Sequence, residues 1–148
     1  LPGSLEAIAA LTRAGCNVVV ITNQSGVARG LFSEQTLAEI HEVMSRAVEA
    51  AGGRIAAVFY CPHHPDDGCE CRKPKPKLLL DAAEAFGVPI ETVPFIGDKA
   101  SDVEAAEAAG ARAIYIGREN GLSEKPGVET FPDLATAVRQ LLGEVEQT

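Results

Sequence analysis

Four short apolar runs alternate along the chain with longer segments in which apolar residues recur every three or four positions. The first run, residues 18–21, is continuously apolar and β-branched, which is typical of a strand buried on both faces of a parallel sheet. The longer segments have the spacing of amphipathic helices. The predicted strands are residues 18–21, 55–60, 93–96 and 113–116, and the predicted helices are residues 5–14, 34–51, 77–86, 101–109 and 133–142.

Residues that begin and end helices support these bounds. Ser4 and Ser33 stand where helix N-caps are expected, and Gly15, Gly52 and Gly110 stand where helices should end. Strands that alternate with helices in this way predict parallel βαβ units. We therefore predict an α/β fold, a Rossmann-like three-layer sandwich around one open parallel sheet, as a single domain over residues 1–148.

Composition and charge limit the classes of function that the chain can have. The chain has 148 residues, 46% of them hydrophobic, and a formal net charge of −8. This acidic balance argues against a nucleic-acid partner, so any anionic ligand should be small and bound locally. No apolar run has the length of a membrane span, which predicts a soluble, cytoplasmic protein. Cys16 is predicted to be a small buried hydrophobe. The sequence begins Leu-Pro-Gly-Ser and its only methionine is Met44, so we expect further residues upstream of Leu1.

Ligands of open α/β sheets collect at the carboxyl ends of the strands, and three of the four predicted strands lead to chemistry-bearing segments there. The first strand ends in a run of hydroxyls and amides, residues 22–26, which could hold phosphate oxygens or simply form a polar turn. The second leads to Arg72-Lys73, followed by two more lysines, which could neutralise a phosphoryl group or form a solvated charge run. The third ends Gly97-Asp98-Lys99, with Asp102 one helical turn later. These two carboxylates could hold Mg²⁺, or either could be an N-cap.

The loop after the second strand is dense in metal-ligating residues. Cys61, Cys69 and Cys71, with either His63 or His64, form a complete Cys₃His set for a tetrahedral zinc ion. A closed set of four ligands leaves no open position for catalysis, so the zinc would be structural and would pin the loop that leads to the basic cluster. The alternative is a set of free thiols on a surface loop.

In combination, residues 22–30, 61–65, 69–76 and 97–99 resemble the D-glycero-D-manno-heptose 1,7-bisphosphate phosphatases of the haloacid dehalogenase superfamily. The resemblance covers essentially the whole chain, and the histidinol-phosphatases share the same motifs. It implies a Mg²⁺-dependent phosphatase that removes the C7 phosphate of a heptose bisphosphate for lipopolysaccharide synthesis. The alternatives are a histidinol-phosphate phosphatase and a non-catalytic, zinc-stabilised module that binds a phosphorylated ligand. In each case the partner would be a small molecule, and we expect a monomer.

The resemblance also implies roles for single residues. Thr22 matches the hydroxyl that steadies the phosphoryl group, Lys73 the lysine that stabilises its charge, and Asp98 the Mg²⁺ ligand. Arg72 matches a substrate-recognition residue, and Asp102 is expected to lie behind the ligands. The remaining substrate-contacting positions are Asn23, Gln24, Ser25 and Lys99. In this family the first of the two adjacent histidines binds zinc, so the implied zinc ligands are Cys61, His63, Cys69 and Cys71.

One element of the family pattern lies outside the sequence. Family members attack phosphorus with the first of two paired aspartates on a strand that precedes the helix beginning here near Ser4. By resemblance, that strand lies between the strand ending at Thr22 and the strand ending at Gly97. We therefore expect the first strand of the fold, with its nucleophile, to lie upstream of Leu1, and the 148-residue form to be inactive.

Overall fold

The structure is a computed structural model, which describes residues 3–23, 33–61, 68–69, 73, 75–117 and 127–146. The chain divides into two compact units, Leu1–Cys69 and Glu70–Thr148. Each unit contains its own parallel sheet, and both sheets carry helices. In the described part of the chain, none of the helices combines the length and the apolar character of a membrane span.

The first unit is built from two αβ repeats. Its elements are α1 (Ser4–Arg13), β1 (Val18–Asn23), α2 (Glu34–Ala50) and β2 (Ile55–Cys61). The strands β1 and β2 are parallel, with Val18 beside Ile55 and Asn23 beside Cys61. The carboxyl ends of the two strands therefore lie at the same edge. Side chains from both helices and from β2 form the core, including Ala9, Leu37, Val48 and Cys61.

The two helices of this unit begin differently. Ser33 caps α2 as predicted, since its side chain accepts a hydrogen bond from the Thr36 backbone N–H at 3.1 Å. The predicted cap of α1 is wrong: Ser4 is already the first helical residue, and Gly3 occupies the cap position with φ 82°. Because Gly3 has no side chain and adopts the left-handed region, it turns the chain into the helix without a side-chain cap.

The second unit contains a three-stranded parallel sheet in the order β3, β4, β5. Gly97 at the end of β3 lies beside Tyr115 of β4. Its core includes Val103, Ala106 and Ile114. The elements are α3 (Lys77–Ala85), a 3₁₀ turn (Ile90–Thr92), β3 (Pro94–Gly97), α4 (Ala100–Ala109), β4 (Arg112–Ile116), β5 (Glu129–Phe131) and α5 (Leu134–Glu146).

Three features of the second unit differ from the sequence-based prediction. The 3₁₀ turn and β5 were not predicted, because three residues are too few to show a hydrophobic period. The last helix extends to Glu146 instead of ending at Leu142. Gly143 lies inside this helix and does not end it, since a helical glycine costs only about 0.5–1 kcal/mol relative to alanine.

Arg112 connects β4 to the two elements that follow it. Its Nε and Nη2 donate to the Glu129 carboxylate of β5 at 2.5 and 2.8 Å, and its Nη1 and Nη2 donate to the Glu144 carboxylate of α5 at 2.8 Å. The hydrogen bonds with Glu144 and then Glu129 raise the pKa of Arg112, and the guanidinium lowers the pKa of Glu144. This arginine clamp holds the edge strand and the last helix to the sheet.

Candidate active site

The strongest candidate site lies where β3 ends and α4 begins. Asp102, in the first turn of α4, is only 4% exposed and accepts a hydrogen bond from the Lys99 backbone N–H at 3.2 Å. This is the acidic half of a capping box, and it turns the carboxylate back toward the strand. Gly97 leaves the room for it, because a Cβ at Gly97 would lie 2.3 Å from the Asp102 Cβ and 2.4 Å from its Oδ2.

Lys73 is the partner of this buried carboxylate. Its Nζ donates to Asp102 Oδ1 at 2.5 Å, and the two side chains are only 11% and 6% exposed. Lysine is seldom buried unless it is paired, so the ion pair accounts for its position. Asp102 thus accepts from the lysine on one side and from the start of α4 on the other. An ammonium fixed in this way is suited to stabilising negative charge that develops on a phosphoryl group.

Asp98 and Lys99 lie at the carboxyl end of β3 and are exposed. Because Asp102 is engaged by Lys73 and the Lys99 N–H, Asp98 is the described carboxylate here that is open to a ligand. Among the described residues, no three His, Cys, Asp or Glu side chains come together as a metal site. Asp98 fits the chemistry of a Mg²⁺ ligand as a single exposed oxygen donor.

In the first unit, the predicted phosphate-binding run begins at the end of β1. Thr22 is half-buried and lies beside Tyr60, and Asn23 is the last residue of the strand, beside Cys61. The backbone register therefore brings the start of this run and the start of the cysteine-rich loop to one edge. Gln24 and Ser25 lie outside the described residues, as does the side chain of Asn23.

The cysteine-rich loop is described in part. Cys61 is fully buried, and its Sγ lies 3.4 Å from the Sγ of Cys69 without a disulfide. Two thiolates on one tetrahedral zinc ion, each at about 2.3 Å, stand roughly 3.8 Å apart, so this spacing suits a shared metal. The other predicted ligands, His63 and Cys71, lie outside the described residues, and so do the alternative His64 and the substrate residue Arg72.

The predicted burial of Cys16 is wrong. This cysteine is half-buried, and it borders a cavity of about 200 Å³ together with Thr12 and Arg54. The apolar run begins two residues later, at Val18. Cys16 therefore belongs to the connection between α1 and β1, at the amino end of β1.

Sequence reasoning missed two residues of the site. The sequence pattern shows Gly97 only as a strand end, although a glycine in a strand can mark a place where another group approaches closely. Phe95, two residues earlier on β3, places its ring centroid 5.9 Å from Lys73 Nζ. No pattern distinguishes this aromatic residue from an ordinary apolar strand residue.

Comparison with known proteins gives consistent matches. A family model for haloacid dehalogenase-like hydrolases matches residues 1–110. The D-glycero-beta-D-manno-heptose-1,7-bisphosphate 7-phosphatase of Bordetella bronchiseptica is 46% identical over 150 residues, which cover 97% of this chain and 84% of that protein. The protein of the same name from Pseudomonas putida is 44% identical over 147 residues, covering 96% and 84%.

Solved structures agree with these sequence matches. The D,D-heptose 1,7-bisphosphate phosphatase of B. bronchiseptica, crystallised with magnesium and phosphate, superposes with a TM-score of 0.90 at 46% identity, over 97% of this chain and 84% of that one. A haloacid dehalogenase-like phosphatase of Mesorhizobium loti superposes with a TM-score of 0.84 at 29% identity, over 99% and 74%. The predicted α/β architecture is therefore confirmed.

Proposed function

The chain belongs to the haloacid dehalogenase-like hydrolase family, and from this premise we propose that it is a Mg²⁺-dependent D-glycero-D-manno-heptose 1,7-bisphosphate 7-phosphatase. The observation that carries the proposal is the buried Lys73–Asp102 ion pair beside the exposed Asp98 at the end of β3. A fixed cation next to an open oxygen donor suits the binding and transfer of a phosphoryl group. The heptose specificity is supported by the high identity to relatives of that name.

In the proposed mechanism, four residues of the second unit each have one role. Lys73 holds positive charge toward the phosphoryl oxygens, and Asp102 keeps its ammonium in place. Asp98 would hold Mg²⁺, whose charge would neutralise the phosphate. Lys99, exposed directly after Asp98, would contact the substrate.

Residues from elsewhere in the chain complete the proposal. Thr22 would steady the phosphoryl group by its hydroxyl. Arg72 would recognise the substrate, because its planar guanidinium can bind phosphate oxygens in a bidentate manner. The further substrate contacts proposed are Asn23, Gln24 and Ser25.

The nucleophile is proposed to come from outside these 148 residues. No Asp-x-Asp occurs in the sequence, and the chain covers 84% of its B. bronchiseptica relative. An aspartate on an upstream strand would attack phosphorus and form an aspartyl-phosphate while the C7 oxygen leaves. A neighbouring aspartate would donate the proton to that oxygen, and would then take one from the water that hydrolyses the intermediate.

We also propose one structural zinc per chain, held by Cys61, His63, Cys69 and Cys71. The short distance between Cys61 and Cys69, and the lack of a disulfide, support a shared metal. The zinc would order the loop that carries Arg72. Metal analysis after purification under reducing conditions without chelators should give about one zinc per chain, and a zinc-free protein with full activity would exclude this part of the proposal.

The decisive experiment compares substrates on the protein extended by its upstream segment. We expect rapid phosphate release from heptose 1,7-bisphosphate, and at most slow release from histidinol phosphate. The 148-residue form is the control, and we expect it to show no turnover. The reverse substrate preference would favour a histidinol-phosphate phosphatase, and absence of turnover in both forms would favour a phospho-ligand-binding module.

We further propose that the enzyme is a cytoplasmic monomer whose product enters lipopolysaccharide synthesis.

A further inference from the structure

One face of β3 contacts both members of the buried ion pair. Successive side chains of a strand point to opposite faces, so Phe95 and Gly97 share a face. The Cβ direction of Gly97 points at Asp102, and the ring of Phe95 lies under Lys73. The strand therefore provides an open space where the carboxylate lies and a ring where the ammonium lies.

The ammonium of Lys73 lies close to both Asp102 and Phe95. A lysine Nζ has three N–H donors, and its side chain here is only 11% exposed. Besides the short hydrogen bond to Asp102 Oδ1, the ring face of Phe95 offers the same ammonium a favourable surface. The distance of 5.9 Å from Nζ to the ring centroid lies within the range of cation–π attraction.

We propose that Phe95 is a positioning residue of the phosphatase site, whose ring face holds the Lys73 ammonium in the orientation set by Asp102. The inference rests on the proposed function, because it concerns how the lysine is kept ready for the phosphoryl group. The lysine side chain has a flexible four-carbon stem, so its charged end can adopt several positions. Electrostatic stabilisation depends on a charge that is already in place, so the enzyme loses activity when the ammonium is not held there. The ring acts through Lys73 and does not itself touch the substrate.

The kinetic test uses three variants of the upstream-extended protein. Phe95→Leu removes the ring but keeps an apolar side chain, and it should lower kcat about three- to tenfold with KM changed less than about twofold. Phe95→Tyr keeps the ring face, so it should restore kcat to within about twofold of the parent. Phe86→Leu is the matched control: Phe86 follows α3 and is not part of the site, so kcat should not change.

Proton NMR detects the contact between Lys73 and Phe95 without enzyme turnover. Protons that lie over an aromatic ring face resonate upfield, so the ε-CH₂ protons of Lys73 should be shifted upfield in the parent and in Phe95→Tyr. In Phe95→Leu they should return to the range of ordinary lysines, while Phe86→Leu leaves them shifted. Ordinary ε-CH₂ shifts in the parent protein overturn the inference whatever the activity.

The outcomes separate this inference from the proposed function. An active Phe95→Leu enzyme with unchanged kcat, or a kcat loss that Phe95→Tyr does not restore, overturns the positioning role alone. An extended protein that releases phosphate from no phosphomonoester overturns the proposed function, and the inference with it. Lower kcat in Phe95→Leu, rescue by tyrosine and the matching loss of the upfield shift together establish the role.

Discussion

Replacing Gly97 by alanine tests how closely the end of β3 is fitted to Asp102. The added Cβ would lie 2.3 Å from the Asp102 Cβ, 2.5 Å from its Cγ and 2.4 Å from its Oδ2. Gly97 does not have a positive φ, so alanine meets no backbone strain there. The whole effect should therefore come from the steric conflict, which forces the carboxylate or the strand end to move.

Overpacking of this kind costs about 1–3 kcal/mol, so Gly97→Ala should lower the free energy of unfolding by that amount. With a urea m-value of about 2 kcal/mol/M, the unfolding midpoint should fall by roughly 0.5–1.5 M. Gly143→Ala is the matched control, because nothing lies within 4 Å of its Cβ position inside α5. It should raise stability by about 0.5–1 kcal/mol, since alanine replaces a helical glycine.

A double-mutant cycle identifies the colliding group. The nearest atom is the Cβ of Asp102, so Asp102→Ala should leave most of the cost of Gly97→Ala, whereas Asp102→Gly should remove it. Urea unfolding of the single and double variants measures this coupling. If Gly97→Ala is equally costly in all three backgrounds, or costs nothing, the fitted contact is not the reason for the glycine.

In the upstream-extended protein, Asp102→Asn should lower kcat about ten- to a hundredfold, because the charge-assisted hydrogen bond to Lys73 becomes weaker; steady-state kinetics measure the change. The pKa of Glu144 is lowered by Arg112, so its contribution to stability is present above the ordinary value of 4.5 and is lost as pH falls through the lowered pKa. Glu144→Gln should therefore flatten the acid side of a stability-versus-pH curve. Cys61→Ser should abolish zinc binding and lower the unfolding temperature by several degrees, as metal analysis and calorimetry would show.

Each of these predictions has a contrasting result. Full kcat in Asp102→Asn would mean that Lys73 does not depend on the carboxylate. An acid limb that is equally steep in the parent and in Glu144→Gln would remove Glu144 as its cause. Cys16→Ser is the thiol control for the zinc prediction, and equal zinc loss in both serine variants would point to a general effect of cysteine replacement.

The hydrophobic pattern was sufficient for the main elements and their type. Each predicted strand is mainly apolar, and each corresponds to a strand of the structure to within two residues at either end. The residues that cap the helices could not be predicted from the hydrophobic pattern. Ser33 caps α2 through its hydroxyl, whereas Ser4 does not cap α1, because Gly3 supplies the turn by its backbone alone. Local sequence does not show which of two neighbouring residues takes the non-helical position.

The residues of the candidate site were predictable as polar positions that follow strands, but their contacts were not. Polar residues that follow strands indicated Lys73, Asp98 and Asp102, since ligands of α/β proteins collect where strands end. The pairing of Lys73 with Asp102, 29 residues apart in sequence, depends on tertiary packing that no spacing rule reveals. The fit of Gly97 against Asp102 also depends on side-chain direction in three dimensions.

The arginine clamp has a consequence for the order of events during synthesis. Arg112 leaves the ribosome first, Glu129 follows 17 residues later and Glu144 32 residues after the arginine. Domains begin to fold while they are being made, so β4 and β5 can pair through Glu129 before Glu144 has left the ribosome. The clamp is complete only when the last turns of α5, which carry Glu144, have emerged. A delay between the emergence of these two glutamates would therefore prolong the period in which the edge of the nascent sheet is open to other chains.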